Sequence, residues 1–442
     1  MANQPRVVIL GGGFGGLYAA QTLKHAQANV TVIDKRNFHL FQPLLYQVAT
    51  GSLSPGEIAA PIRSVLSKQD NTNVLLGEAV DIDPSARTLA LKDGSQVPYD
   101  FLIVATGSQA TFFGHDQWRP FAPPLKSVED ATEIRHKILV AFEEAERATS
   151  REERHAWLTF VIVGAGATGV ELAGALGEIA HHTLKHDFRS IKPSDATILL
   201  VDGTSRLLSA FPEDLARRAQ RSLENLGVTM RFEVLVDSVD ESGVTVKDKS
   251  GKHEHIRSKT IIWAAGVAVS DFARQLAKRT GAETDRTGHI KVDNHLAVPN
   301  YPEIFVVGDL AYYLDDQGKT LPGVAQVAMQ GGSYAAKAIM RRIEDKPEGK
   351  PFTYFNKGDL AVIGRAAAIA NIFGFHLSGF PAWLVWLFVH LLYIVEFQSR
   401  LLVLVQWGFL YLTYNRGARL ITGSVPTEES VSRPPAATSA AG

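Results

Sequence analysis

Five of the six residues Gly11–Gly16 in the stretch VVILGGGFGGLYAAQTL are glycine, directly after the apolar run Val7–Leu10. A segment so poor in side chains neither fills a core nor favours a helix interior, so it marks a tight turn where backbone must approach something closely. Leu17–Leu23 reads as a helix, and Val30–Ile33 is a second β-branched run ending in Asp34. The order is strand, glycine turn, helix, strand, within the span of a dinucleotide-binding fingerprint. Gly11 permits the turn, Gly13 lets backbone approach a pyrophosphate, and Gly16 lets helix and strand pack closely. The helix N-terminus offers free N–H groups to phosphates, and Asp34 is placed to accept from ribose hydroxyls.

The pattern occurs twice. FVIVGAGATGVELAGAL repeats it with Gly164, Gly166 and Gly169, and ATILLVD supplies a later strand ending in Asp202. Each copy also has a further apolar strand ending in a small-residue turn. YDFLIVATG ends in Ala105, Thr106 and Gly107, and KTIIWAAG ends in Gly266. A third element, EIFVVGDLA, follows the second copy and carries Asp309, which suits a return of the chain to the first domain. The expected fold class is α/β, with two Rossmann-like dinucleotide-binding domains, the second inserted into the first. Expected boundaries are 1–125 and 286–350 for the first domain, 126–285 for the second, 351–423 for a carboxy-terminal region and 424–442 for a disordered Pro, Ser, Thr and Ala-rich tail.

Composition excludes several chemistries. Cysteine is absent from all 442 residues, which removes disulfides, thiol nucleophiles, thiolate-held zinc and the usual iron–sulfur ligation. Forty-five Lys and Arg balance 46 Asp and Glu, so no general basic field supports a nucleic-acid partner. With a strand beginning at about Arg6, no signal or transit peptide is expected. His181 and His182 have no ligand cluster around them in the sequence, so no metal is expected.

These residues resemble the flavoprotein pyridine-nucleotide oxidoreductases with two dinucleotide-binding domains. The resemblance implies non-covalent FAD on Gly11, Gly13, Gly16, Asp34, Ala105, Thr106, Gly107 and Asp309. It implies the nicotinamide cofactor on Gly164, Gly166, Gly169, Asp202 and Gly266. Members that use redox cysteines do not fit this chain. VAQVAMQGG (324–332) resembles the quinone-site motif of type II NADH:quinone oxidoreductases, and FHLFQPLLYQVATG (38–51) resembles that family's segment after the first acidic residue. The apolar carboxy terminus resembles its membrane anchor. The implied activity is non-proton-pumping reduction of a membrane quinone by NADH, in a peripheral protein on the cytoplasmic face of the inner membrane, with a homodimer left open. A soluble ferredoxin or rubredoxin reductase of the same fold is the alternative enzyme, and it would not need the apolar terminus.

Individual residues carry two readings each. Gln326 and Gln330, four apart, share a helix face, and their amides suit a flavin edge and a quinone carbonyl; a surface pair is the plainer account. Glu171 in the first turn after the second glycine motif complements the helix dipole; by resemblance it lies where nicotinamide meets flavin and would position the ring or relay protons. His39 reads as a histidine packed near the cofactor. Asp202 favours NADH over NADPH, because a carboxylate repels a 2′-phosphate, although Arg206 lies nearby.

Between Arg365 and Glu396 there is no Lys, Arg, Asp or Glu. As one helix, Phe380–Phe397 would reach about 27 Å, near the hydrocarbon thickness. Trp383, Trp386, His390 and Tyr393 form one stripe, and Arg400, Trp407, Tyr411 and Tyr414 another, so two helices lying in the lipid interface with aromatic residues toward the headgroups are expected. The region after about Pro351 therefore reads as a removable anchor.

Overall fold

The computed structural model describes residues 4–422 apart from Asp316; the tail expected from Ser424 onward lies outside the described residues. A six-stranded sheet forms the first domain. Its spatial order is Ala297–Val298, Tyr301–Val306, Phe101–Val104, Arg6–Leu10, Asn29–Asp34 and Thr72–Leu76. All neighbours are parallel except the first pair. Val7, Val8 and Ile9 are buried, as a parallel strand covered on both faces requires. Helix α1 (Phe14–Thr22) leads from Arg6–Leu10 to Asn29–Asp34. The other neighbour of Arg6–Leu10 is Phe101–Val104, so strand order reverses beside the glycine turn, and ligands bind at such a switch point.

The second domain repeats this plan with four parallel strands in the order Val228–Phe232, Thr197–Asp202, Thr159–Val163 and Thr260–Trp263. Helix α2 (Ala167–Glu178) takes the place of α1. Ser108–Ala110 and Val267–Val269 pair antiparallel where the chain leaves and returns. Phe112, Trp118 and Ala122 already pack into the second domain's core, while helix α3 (Asp271–Thr280) packs back on the first domain with Ile82 and Leu89. The crossing strands are three residues each and bring no change of composition that would mark them.

Helix α4 (Ala325–Ile343) crosses α1 at close range, since a Cβ on Gly332 would collide with the Gly15 carbonyl. An antiparallel sheet of Asp359–Gly364, Ala367–Ile372 and Phe375–Gly379 follows. It packs directly on α2, and a Cβ on Gly174 would collide with the Ile363 carbonyl. Helices α5 (Phe380–Tyr393) and α6 (Phe397–Thr413) complete the described chain. Val362, Ile369, Trp386 and Trp407 belong to the same buried cluster as Leu172 and Leu176 of α2. The carboxy-terminal region is thus built into the second domain rather than appended to it.

Two expectations about that region change. The helix expected over Phe380–Phe397 stops at Tyr393; Ile394 is extended (ψ 129°), and its carbonyl accepts from Arg400 Nε at 2.6 Å. Among the described residues no helix is long and apolar enough to cross a membrane. The aromatic stripes also face the other way. Trp386 and Trp407 are buried at 2% and 5% exposure, whereas Phe388, Leu392, Phe397, Leu401, Val405, Phe409 and Leu412 are exposed. The Trp407 N–H finds its acceptor inward, in Gln47, and aliphatic and phenyl groups are left outside.

Candidate functional site

The two glycine turns are near copies. Gly11 and Gly164 adopt φ of +104° and +106°, which a side-chain-bearing residue rarely tolerates. Cβ atoms on Gly16 and Gly169 would collide with the carbonyls of Gly11 and Gly164, so each helix is held tight on its strand. Gly13 and Gly166 cap α1 and α2, and added Cβ atoms would meet nothing within 4 Å. Each helix N-terminus therefore opens onto free space of the kind a pyrophosphate fills. The acidic residues are equivalent too. Asp34 accepts from the Gly12 N–H at 2.6 Å and the Arg36 N–H at 2.7 Å. Asp202 accepts from the Ala165 N–H at 2.6 Å and from Thr204 through N–H and Oγ1. Each carboxylate is thereby fixed at the edge of its turn.

Other expected residues have specific surroundings. His39 is buried beneath the first turn, Nδ1 2.9 Å from the Gly12 carbonyl and its ring edge-on to Phe14; burial lowers its pKa. Thr106 Oγ1 meets Ser270 Oγ at 2.6 Å, and space beside Gly107 is open, while Gly266 is covered by Phe113. Ser108 donates to Asp309 at 2.6 Å and accepts from Lys126 at 3.0 Å. These three line a cavity of about 330 Å³ with Gly308 and Gly323. Burial lowers the Lys126 pKa against the pull of Asp309. Arg206 donates to the carbonyls of Ser209 (2.9 Å) and Phe211 (3.0 Å). His182 stacks on Tyr414 at 4.4 Å.

The glutamine pair holds a segment of backbone. Gln326 donates to the Gly358 carbonyl and accepts from the Lys357 N–H; Gln330 does the same with both backbone groups of Phe355. The small residues beside them serve helix contact: Gly332 faces Gly15 of α1, and Gly331 faces Val307.

Glu171 lies in the second turn of α2, where the dipole account weakens. It lines a cavity with Tyr46, Gln47, Trp383, Trp386, Trp407 and Tyr411. Desolvation pushes its pKa up to about 8, opposed by a hydrogen bond from Val362. On the same face of α2, Glu178 forms a buried pair with Arg416 at 2.8 Å. Arg416 also reaches Thr50 (3.1 Å) and Ser52. Sequence reasoning singled out none of Tyr46, Gln47, Glu178 and Arg416. Glu171 and Glu178 at i and i+7 share a helix face, which was the one available signal.

Two helix N-termini at two switch points, with a cavity at the junction, define a pyridine-nucleotide oxidoreductase of the two-domain kind. Residues 5–332 match the family described as pyridine nucleotide-disulphide oxidoreductase. The chain is 44% identical to a type II NADH:quinone oxidoreductase of Mycobacterium tuberculosis, over 94% of this chain and 90% of that protein. It is 27% identical to the type II NADH:quinone oxidoreductase of Staphylococcus saprophyticus, over 85% and 92%. Its fold superimposes on NDH2 from Plasmodium falciparum, solved in complex with NADH, with a TM-score of 0.84 at 21% identity, covering 93% of this chain and 99% of that one. The chain belongs to the type II NADH:quinone oxidoreductases, within the pyridine nucleotide-disulphide oxidoreductase family.

Proposed function

We propose that this protein oxidises NADH and reduces a membrane quinone without pumping protons, with FAD in the first-domain cleft and NADH in the second. The observation that carries the reading is the junction cavity. There Glu171 of the second domain, Tyr46 of the first and the indoles of α5 and α6 meet, and α5 and α6 turn an apolar face outward. Bound FAD would supply the two-electron centre between NADH and quinone. Gly11, Gly13 and Gly16 would shape its pyrophosphate site, and Asp34 and Asp309 would hold its hydroxyl groups. Gly164, Gly166, Gly169 and Asp202 would do the same for NADH.

Reduction of a quinone to a quinol takes two electrons and two protons; the hydride of NADH brings both electrons and one proton equivalent, so one further proton is needed. With a pKa near 8, Glu171 is mainly protonated at neutral pH and can supply one, taking it back from water. Gln326 and Gln330 would act by holding the 355–358 segment beside α4. The exposed apolar face would lie in the lipid interface, so the protein is peripheral and a hydrophobic quinone enters from the bilayer side. A reductase of a small soluble electron carrier would have no use for that face.

Anaerobic NADH titration of the purified protein tests the reading. NADH should bleach a flavin spectrum, and added quinone should restore it with one quinone consumed per NADH. A colourless protein, or a bleached one that quinone leaves bleached, would refute it.

A further inference from the structure

The cavity beside Glu171 has a fixed hydrogen-bond polarity. Trp407 Nε1–H, which can only donate, lies 2.7 Å from Gln47 Oε1. That contact orients the Gln47 amide, so its NH₂ end faces Tyr46 and donates to the hydroxyl oxygen at 2.8 Å. The Tyr46 oxygen accepts, and its own hydrogen has no acceptor among the described residues. Tyr46 is 7% exposed and lines the cavity. Burial raises its pKa well above the usual tyrosine value, so the hydroxyl keeps its hydrogen.

A second donor stands nearby. Trp386 is held between His390 at 4.4 Å and Trp407 at 5.1 Å, and its buried Nε1–H also has no acceptor. Arg416 Nε is a third donor without an acceptor, on a guanidinium already tied to Glu178, Thr50 and Ser52. The Glu178 oxygens accept from Arg416 and the Arg365 N–H, and both ends of the Gln47 amide are engaged.

We propose that Tyr46 O–H and Trp386 N–H are the donors that recognise the two carbonyls of an oxidised quinone, and that Trp407 and Gln47 act as positioning residues by fixing the polarity of Tyr46. The inference rests on the quinone reading above and extends it. A quinone brings two acceptors and no donor, matching two donors without acceptors.

The test compares the parent enzyme with Tyr46→Phe and Gln47→Glu, using NADH and a short-tailed benzoquinone. Tyr46→Phe removes only the hydroxyl. Gln47→Glu keeps the tyrosine but places an oxygen opposite it, which draws its hydrogen away from the cavity. Both should raise the quinone KM by roughly tenfold or more. NADH oxidation by ferricyanide, which needs no hydrogen bond from the cavity, should be retained. Trp407→Phe lets the amide turn either way and should give an intermediate KM, which keeps the relay testable if a Tyr46 variant fails to fold. A parent-like KM in Tyr46→Phe overturns the proposal. So does an unaffected Gln47→Glu beside an impaired Tyr46→Phe, because then the hydroxyl matters and its polarity does not. A parent enzyme inert toward quinone would instead remove the proposed function, before any variant is compared.

Discussion

Replacing Arg416 with methionine should be among the most damaging single changes outside the glycine turns. The guanidinium is 3% exposed and ties together three parts of the chain: Thr50 and Ser52 of the first domain, Glu178 of α2, and the segment after α6. Methionine keeps most of the buried stem but removes every charged donor. Glu178, 7% exposed, would keep only the Arg365 N–H for its carboxylate. Breaking a buried ion pair by removing one partner costs about 3–5 kcal/mol, because the remaining charge is uncompensated. Two lost neutral hydroxyl contacts add about 0.5–1.5 kcal/mol each. The double variant Arg416→Met with Glu178→Gln removes the orphaned charge and should recover about 2–3 kcal/mol of the loss. The assay is urea unfolding followed by tryptophan fluorescence on parent, both single variants and the double variant, closed as a thermodynamic cycle. A loss below about 0.5 kcal/mol in Arg416→Met would be the response of a surface residue. That result, or a double variant no better than the single one, would refute the clasp.

Four further outcomes follow. Gly13→Val should purify without flavin, since its side chain would enter the open space at the α1 N-terminus; a full flavin spectrum would remove that cleft from the cofactor site. The parent should prefer NADH over NADPH in kcat/KM by about tenfold or more, a difference of about 1.4 kcal/mol, and Asp202→Asn should narrow the gap; equal use of both by the parent would contradict the role of Asp202. Quinone reduction should fall as pH rises through about 8, where Glu171 loses its proton, and Glu171→Gln should abolish that limb and slow turnover by about 10²-fold. The sign for stability is the same: the folded pKa lies above the ordinary 4.5, so this group's contribution is lost between about 4.5 and 8 as pH rises, and a flat profile would count against its desolvation. Combined Phe397→Ser, Leu401→Ser and Val405→Ser should release the protein from sedimenting vesicles, at about 1.5–3 kcal/mol per side chain; unchanged sedimentation would refute the proposed lipid face.

What was legible in the sequence is what backbone geometry writes locally. Gly11 and Gly164 need positive φ, and Gly16 and Gly169 need closeness, so the turns and their duplication appear directly as glycines at fixed spacing. The crossing between the domains was not legible, because Ser108–Ala110 and Val267–Val269 are short and chemically unremarked. The inward face of α6 was not legible for a different reason. Apolar residues surround most of that helix, so a period of 3.6 gives a stripe but not its direction. Direction is decided by partners far away in the chain, such as Gln47 for the Trp407 N–H. The raised pKa of Glu171 is likewise a tertiary effect. Its desolvation comes from walls supplied by the carboxy-terminal sheet and helices, of which a reading of α2 alone contains nothing.

The inverted stripes also change what the carboxy terminus is for. As a removable anchor it could be deleted after Pro351 with the catalytic domains intact. In the structure its sheet covers Gly174 of α2, its helices form walls of the Glu171 cavity, and Arg416 closes the arrangement from behind. Loss of the region would expose Leu172 and Leu176 and leave Glu178 without its guanidinium. Val403 and Trp407 face the protein one helical turn apart, while Leu401, Val405 and Phe409 on the same helix face outward. One helix therefore serves both surfaces, and the geometry of the cavity cannot be separated from the placement of the apolar face. A helix that merely tethered the protein could vary freely on its inner side. This one carries on that side the indole that orients Gln47, and through Gln47 the hydroxyl of Tyr46.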